Sequence, residues 1–359
     1  MKRNSNIQGL RGALSLFLFF YHVAQSRLPT FEGESAQIIN HMLKSLEHGV
    51  EIFFGISGIV IFFAFKKSDS VWGFIKNRCL RIFPVLWTTI FVIVVLSNFS
   101  STHHSISNPF VIAANLIAIP TVFSIEFIHP AAWSITYEFA FYAVFVFFAC
   151  FSFISNRFIA TLATIALAAL MVSTHLRALP FLIGFIIANI FENTAIAEKN
   201  RKTPWPVLSC SGIFVVVSML AWQASYEAMP NSYNNSADLF RYPVALGYFL
   251  IATASVSLAL AGIYLGKGWF SRAMRTPLFQ WLGLISFSLY LWQTVVMAIV
   301  KAAMVKLHIP ELAGQWSQIL FAIIALPPTL FVSHYSQKLI EDKLTKRLQF
   351  SFAKPLAVR

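Results

Sequence analysis

The segment YPVALGYFLIATASVSLALAGIYLG, residues 242–266, holds no Asp, Glu, Lys or Arg and is closed at its two ends by Arg241 and Lys267. As an α-helix it would be about 37 Å long, at 1.5 Å per residue. That exceeds the roughly 30 Å hydrocarbon core of a bilayer, so the run reads as a membrane span. Working outward, further uncharged stretches occupy 12–26, 52–65, 82–125, 139–156, 158–176, 178–191, 203–226, 276–300 and 312–337. The two short ones, 52–65 and 178–191, borrow a turn beyond a flanking charge that snorkels or faces the protein interior.

Composition agrees with that pattern. Of 359 residues 57% are hydrophobic, 37 are Phe and only 11% are charged. A soluble domain carries about 25% charged residues, so a soluble protein is excluded. Disorder is excluded by the amount of apolar surface, and a single anchor by its spread along the chain. The net charge of +13 sits in short clusters between apolar runs. It reads as topology signals and headgroup contacts rather than as a nucleic-acid surface. Lys2 and Arg3 before the apolar run Gly12–Ala24 resemble a signal peptide, but Arg11 and His22 and the later runs make this an uncleaved first span. Cys79, Cys150 and Cys210 form no C-x-x-C pair, and no P-loop, dinucleotide fingerprint or H-E-x-x-H is present. No metal site is expected; His103 and His104 form an external pair with no further ligand near in sequence.

The polar stretch Asn98–Pro109 splits 82–125, which leaves 110–128 as a crossing helix, a re-entrant element or a surface element. Basic residues decide in favour of a non-crossing segment. With a cytoplasmic N-terminus and ten spans, only Arg27, Lys44, Arg177, Arg241, Lys301 and Lys306 lie outside, and the other 21 of 27 lie inside. If 110–128 crosses, the split becomes 12 inside to 15 outside, with no bias. The expected architecture is therefore all-α and polytopic, with about ten transmembrane helices and both termini cytoplasmic. One transmembrane domain is expected over 1–340, followed by a short basic cytoplasmic tail, 341–359.

Ionisable side chains at membrane depth are costly and are candidates for function. His22 lies eleven residues beyond Arg11, about 16 Å along a helix. Glu138 lies nine residues beyond His129, about 13 Å by the same rise. The two reach similar depths. Each reads either as an interhelical hydrogen-bonding group or as a reactive one. Arg78 and Arg81, three apart on one helix face, read either as positive-inside anchors or as a phosphate site, since guanidinium forks match phosphate geometry. An outer loop over 223–241, with Trp222, Tyr226 and Tyr233 at and beyond its start, offers rings to stack on sugars or on the membrane interface.

Several segments together resemble the acyltransferase-3 family of bacterial multispanning membrane proteins. Ile7-Gln8-Gly9-Leu10-Arg11 through Tyr21-His22 is similar to its opening motif, an arginine followed by ten residues and a histidine. His48-Gly49-Val50-Glu51-Ile52-Phe53-Phe54-Gly55-Ile56-Ser57-Gly58 resembles its second-span signature. Phe74-Ile75-Lys76-Asn77-Arg78-Cys79-Leu80-Arg81-Ile82-Phe83-Pro84 resembles its cytoplasmic arginine-x-x-arginine motif. Ala132-Trp133-Ser134-Ile135-Thr136-Tyr137-Glu138 resembles its Trp-Ser-x-x-x-Glu block, and Trp281-Leu282-Gly283 through Ser288-Leu289-Tyr290-Leu291-Trp292 its late-span motif. Many members have a histidine after the late Tyr-Leu-Trp. Here Gln293 stands there, which leaves hydrogen bonding as its role.

The resemblance implies ten core helices and an O-acetyltransferase of the bacterial inner membrane. It implies acetyl-CoA as a cytoplasmic donor that is not tightly bound. The implied acceptor is a hydroxyl of a surface polysaccharide, lipopolysaccharide or lipid-linked glycan outside. It makes His22 and Glu138 catalytic, with the carboxylate orienting the imidazole. Arg11, Arg78 and Arg81 would hold CoA phosphates, and Trp133, Ser134, Tyr290 and Gln293 would contact substrate. Membrane lipids are the other expected partners; nucleic acid is not one. The competing class is a transporter or flippase of an amphipathic glycolipid, because intramembrane His and Glu also serve proton relays. The repeated halves common in transporters are absent from the sequence.

Overall fold

Asn4 opens the first helix. Its side-chain oxygen accepts the Asn6 and Ile7 backbone N–H groups, two of the donors a helix start leaves orphaned. Its amide nitrogen donates to the Tyr264 carbonyl, so the cap also docks the helix. The computed structural model describes residues 4–97, 108–119, 125–154, 157–192, 194–203, 205–229 and 239–348. Among these residues every element is helical and no strand occurs. In order they are α1 (Ser5–Ala24), α2 (Glu34–Ser45), α3 (Gly49–Lys66), α4 (Val71–Ser97), α5 (Pro109–Leu116), α6 (Ala132–Ile154), α7 (Arg157–Thr174) and α8 (Leu179–Ile190). Then follow α9 (Thr194–Lys202), α10 (Pro206–Ser209), α11 (Ser211–Glu227), α12 (Pro243–Leu265), α13 (Gly268–Ala273), α14 (Pro277–Lys306), α15 (Ile309–Ala313) and α16 (Ser317–Ser336).

Six helical stretches among the described residues are long and apolar enough to cross a membrane: Ser5–Ala24, Glu34–Lys66, Val71–Ser97, Pro243–Leu265, Pro277–Lys306 and Ile309–Leu348. Ala132–Phe147 and Leu176–Ile190 are apolar but shorter. The protein is thus an all-α, multi-pass membrane protein. Within 110–128 the described helix is α5, eight residues and about 12 Å long, far short of a bilayer core. Asn115 ties it to the following segment: its amide donates to the Glu126 carbonyl and accepts from the Ile128 N–H.

The chain divides into two compact units. The first comprises Met1–Gln25, Glu32–Val71 and Phe141–Leu284; the second comprises Ser26–Phe31, Trp72–Ala140 and Ile285–Arg359. In the first, α3 and α8 approach at backbone distance. A Cβ on Gly184 would fall on the Gly55 carbonyl oxygen, and one on Gly58 would fall on the Phe181 carbonyl. Small residues at a membrane helix interface allow that approach. Beside it, Phe54, Phe181 and Phe141 stack with centroids 4.5 and 4.6 Å apart, which gives part of the phenylalanine excess a packing role.

In the second unit the helix does not stop at the expected tail boundary. Beyond α16 the backbone widens into a π-helix over Gln337–Leu344 and returns to α-helix through Leu348. Trp222 is also not where the loop reading put it. It belongs to α11 in the first unit, is 1% exposed, and packs its ring on His48 and Phe249. It is a core residue and not a sugar platform. Tyr226 is exposed, while Tyr233, His103, His104 and residues 349–359 lie outside the described residues.

Candidate active site

The expected site residues fall into both units. Arg11 and His22 stand on α1 in the first unit, both half-buried. The N-terminal half of α1 is held by direct backbone approach: Cβ atoms on Gly9 and Gly12 would meet Met274 and Gly283. Glutamines close the same seam. Gln8 Nε2 donates to the Gln280 carbonyl at 3.0 Å, and Gln280 Nε2 to the Ser5 carbonyl at 2.7 Å. Arg11 is thereby presented from a rigid turn.

The first unit also carries a charged cluster that the sequence reading passed over. Glu51 is 0% exposed, and Arg177 Nε donates to its Oε1 at 2.5 Å. A second guanidinium nitrogen reaches Glu47 at 3.5 Å. His48, one turn before Glu51, has Nδ1 3.5 Å from the same carboxylate and Nε2 3.2 Å from the Gln223 side-chain oxygen. Gln223 in turn donates to Glu227. The i, i+3 spacing of His48 and Glu51 was visible in the sequence. Their partner Arg177 was not, because it reads as an ordinary external loop charge.

In the second unit Arg78 and Arg81 lie on α4, half-buried, six and three residues before Pro84 within the same helix. Proline has no N–H, so the carbonyl four residues earlier loses its helical donor. That carbonyl belongs to Leu80, between the two arginines, and the Thr345 hydroxyl supplies the missing donor at 3.1 Å. Thr345, in the described part of the segment expected as a tail, thereby reaches the arginine motif.

The start of α6 brings Trp133, Ser134 and Glu138 onto the second unit. Ser134 Oγ lies 2.7 Å from the Tyr290 hydroxyl on α14, so two expected substrate contacts meet. Immediately before them, His129 is 0% exposed. Its Nδ1 accepts the Ala131 N–H at 3.0 Å and its Nε2 lies 2.9 Å from the Leu291 carbonyl. The carbonyl only accepts, so Nε2 carries the proton and the ring is a neutral, fully committed bridge. It ties the segment before α6 to α14, and sequence reading used it only as a depth marker.

Gln293 follows on the same stretch of α14. It is 0% exposed, and among the described residues neither its amide oxygen nor its amide nitrogen has a hydrogen-bond partner. A buried amide left unpaired costs about 1–3 kcal/mol, and such groups in native folds call for an explanation. A buried amide that both donates and accepts is suited to binding a carbonyl or a hydroxyl of a ligand. No group of three or more metal-ligating side chains occurs among the described residues.

A family model described as an acyltransferase domain, that of the acyltransferase-3 family, matches residues 4–335. No curated protein and no solved structure is similar enough to match. The match takes in α1 with Arg11 and His22, the α4 arginines, the α6 block and the α14 motif, and over that length the chain belongs to the acyltransferase-3 family.

Proposed function

We propose that this protein is an O-acetyltransferase of the bacterial cytoplasmic membrane. It moves an acetyl group from cytoplasmic acetyl-CoA to a hydroxyl of a surface polysaccharide or lipid-linked glycan on the outer side. The observation that carries the reading is the family match over residues 4–335, which covers every motif residue assigned a role. In the reaction the acceptor oxygen bonds to the thioester carbonyl carbon, the C–S bond breaks, and the CoA thiolate leaves and is protonated. The acceptor hydroxyl must lose its proton as it attacks. His22 is the group for that step, because a neutral imidazole nitrogen accepts a proton. Glu138 is the acidic member of the catalytic set. Arg11, Arg78 and Arg81 bind CoA phosphates through charge-assisted hydrogen bonds. Ser134, Tyr290 and Gln293 supply hydrogen bonds to the reacting groups, and Trp133 a ring beside them.

The test is mass spectrometry of surface glycans from cells with and without the gene. An acetyl ester that depends on the gene supports the reading and identifies the acetylated sugar. Glycans of identical mass in the two strains would refute it.

A further inference from the structure

Four consecutive features of α14 are tied to other elements of the second unit. Ser288 Oγ is 2.5 Å from Glu341 Oε1. Tyr290 meets Ser134, the Leu291 carbonyl accepts from His129, and Trp292 Nε1 donates to Ser336 Oγ at 2.9 Å. Gln293 comes next, with its amide unpartnered among the described residues. The anchors lead up to that open amide, which the Thr294 hydroxyl, also without a partner among the described residues, follows.

Two of the four anchors converge on a single chain of hydrogen bonds. The Ser288 and Ser336 hydroxyls are 3.0 Å apart. Ser288 Oγ is the donor toward both Ser336 Oγ and the Glu341 carboxylate, and Ser336 Oγ accepts from Ser288 and from the Trp292 indole. Ser288 and Trp292, both on α14, are thus tied to the same serine, and Ser288 also to the carboxylate. A carboxyl oxygen at 2.5 Å makes the Ser288–Glu341 bond the short one of the set. Ser288 is 0% and Ser336 6% exposed, so water does not compete.

The convergence depends on the π-helix. Ser336 and Glu341 are five residues apart, and in an α-helix that turns them about 140° from one another. A π-helix closes i→i+5 hydrogen bonds and stacks residues five apart. The π stretch beginning at Gln337 is what lets both reach Ser288. Short π segments recur at functional sites. Here the segment is further pinned by Thr345 on Leu80 and by Gln337 on Asp342.

We propose that Glu341, acting through Ser288, Ser336 and Trp292, fixes the turn of α14 that presents the Gln293 amide, and is a positioning residue for that substrate contact. The inference rests on the reading of the protein as an acetyltransferase with Gln293 at the substrate. Nothing in the sequence marks Glu341: it stands in a charged stretch, Lys338-Leu339-Ile340-Glu341-Asp342-Lys343, that reads as solvated.

The experiment is a double-mutant cycle on the full chain in membranes, with transfer measured from labelled acetyl-CoA to the endogenous membrane acceptor and normalised to protein abundance. Glu341→Ala and Gln293→Ala should each lower turnover about tenfold, the equivalent of one net hydrogen bond. The double variant should be no slower than Gln293→Ala alone, because a positioning residue has no effect once the group it positions is gone. Glu341→Gln should keep part of the activity, since its amide oxygen still accepts from Ser288. If Glu341→Ala fails to accumulate, Ser288→Ala severs the same chain at its middle and takes its place in the cycle. Multiplicative losses in the double variant, or wild-type turnover in Glu341→Ala, would overturn the inference while leaving the acetyltransferase reading intact. A wild-type protein that transfers nothing would overturn both.

Discussion

Replacing Gln293 with leucine keeps the bulk of the side chain and deletes its amide. Because that amide is buried and unpartnered among the described residues, the change should remove a desolvation penalty of about 1–3 kcal/mol. Thermal unfolding of the detergent-purified protein should therefore shift upward, while transfer falls about tenfold for the lost contact. Greater stability together with lower activity marks a residue kept for its ligand; a variant less stable than wild type would mean the amide serves the fold. Ser134→Ala should behave oppositely, since it removes the hydrogen bond to the Tyr290 hydroxyl that lies 2.7 Å away. At the α4 motif, Arg78→Ala or Arg81→Ala should raise the apparent KM for acetyl-CoA roughly 10- to 100-fold, as expected for loss of a hydrogen bond to a charged group worth about 1.5–3 kcal/mol. Donor titrations at matched abundance check this. An unchanged donor KM in both variants would leave these arginines as topology signals only.

At the level of elements, the clamp between the α7–α8 connection and α3 carries the clearest stability prediction. Glu51 is 0% exposed and Arg177 is its cationic partner. Removing one member of a buried pair leaves an uncompensated charge and costs about 3–5 kcal/mol. Arg177→Ala should therefore lower the yield of folded protein and its unfolding temperature sharply, and adding Glu51→Gln should recover part of the loss. Equal stability of Arg177→Ala and wild type would contradict the clamp. Much at this scale was legible beforehand. Charge-free runs located the apolar helices, and the break at Asn98–Pro109 foreshadowed the short α5. The arginine, tryptophan–serine and late-span motifs carried the candidate residues. What escaped were interactions whose partners are distant in sequence. Pro84 announces an unsatisfied carbonyl at Leu80, but nothing local says that Thr345 will fill it. Helical periodicity assumes 3.6 residues per turn, so a π segment that aligns Ser336 with Glu341 is invisible to it. Trp222 looked interfacial because it closes an apolar run, and its burial against His48 and Phe249 depends on α3 and α12.

For the molecule as a whole, the basic-residue distribution sets the expected orientation. A reporter fused after Arg359 should be cytoplasmic, and one inserted near Asn235 should be external. Finding both on one side would reverse the assignment of donor and acceptor faces. That assignment matters because the proposed chemistry joins a cytoplasmic thioester to an external hydroxyl, with His22 as the base. The central claim is best tested by measuring transfer of labelled acetyl from acetyl-CoA to surface glycan in membranes carrying wild-type or His22→Ala protein at equal abundance. Loss of a general base lowers the rate by about 10²–10⁴-fold, so wild-type membranes should label the glycan and His22→Ala membranes should fall at least about a hundredfold. A wild-type protein that labels nothing, or a His22→Ala protein that keeps more than about a tenth of the wild-type rate, would contradict the account.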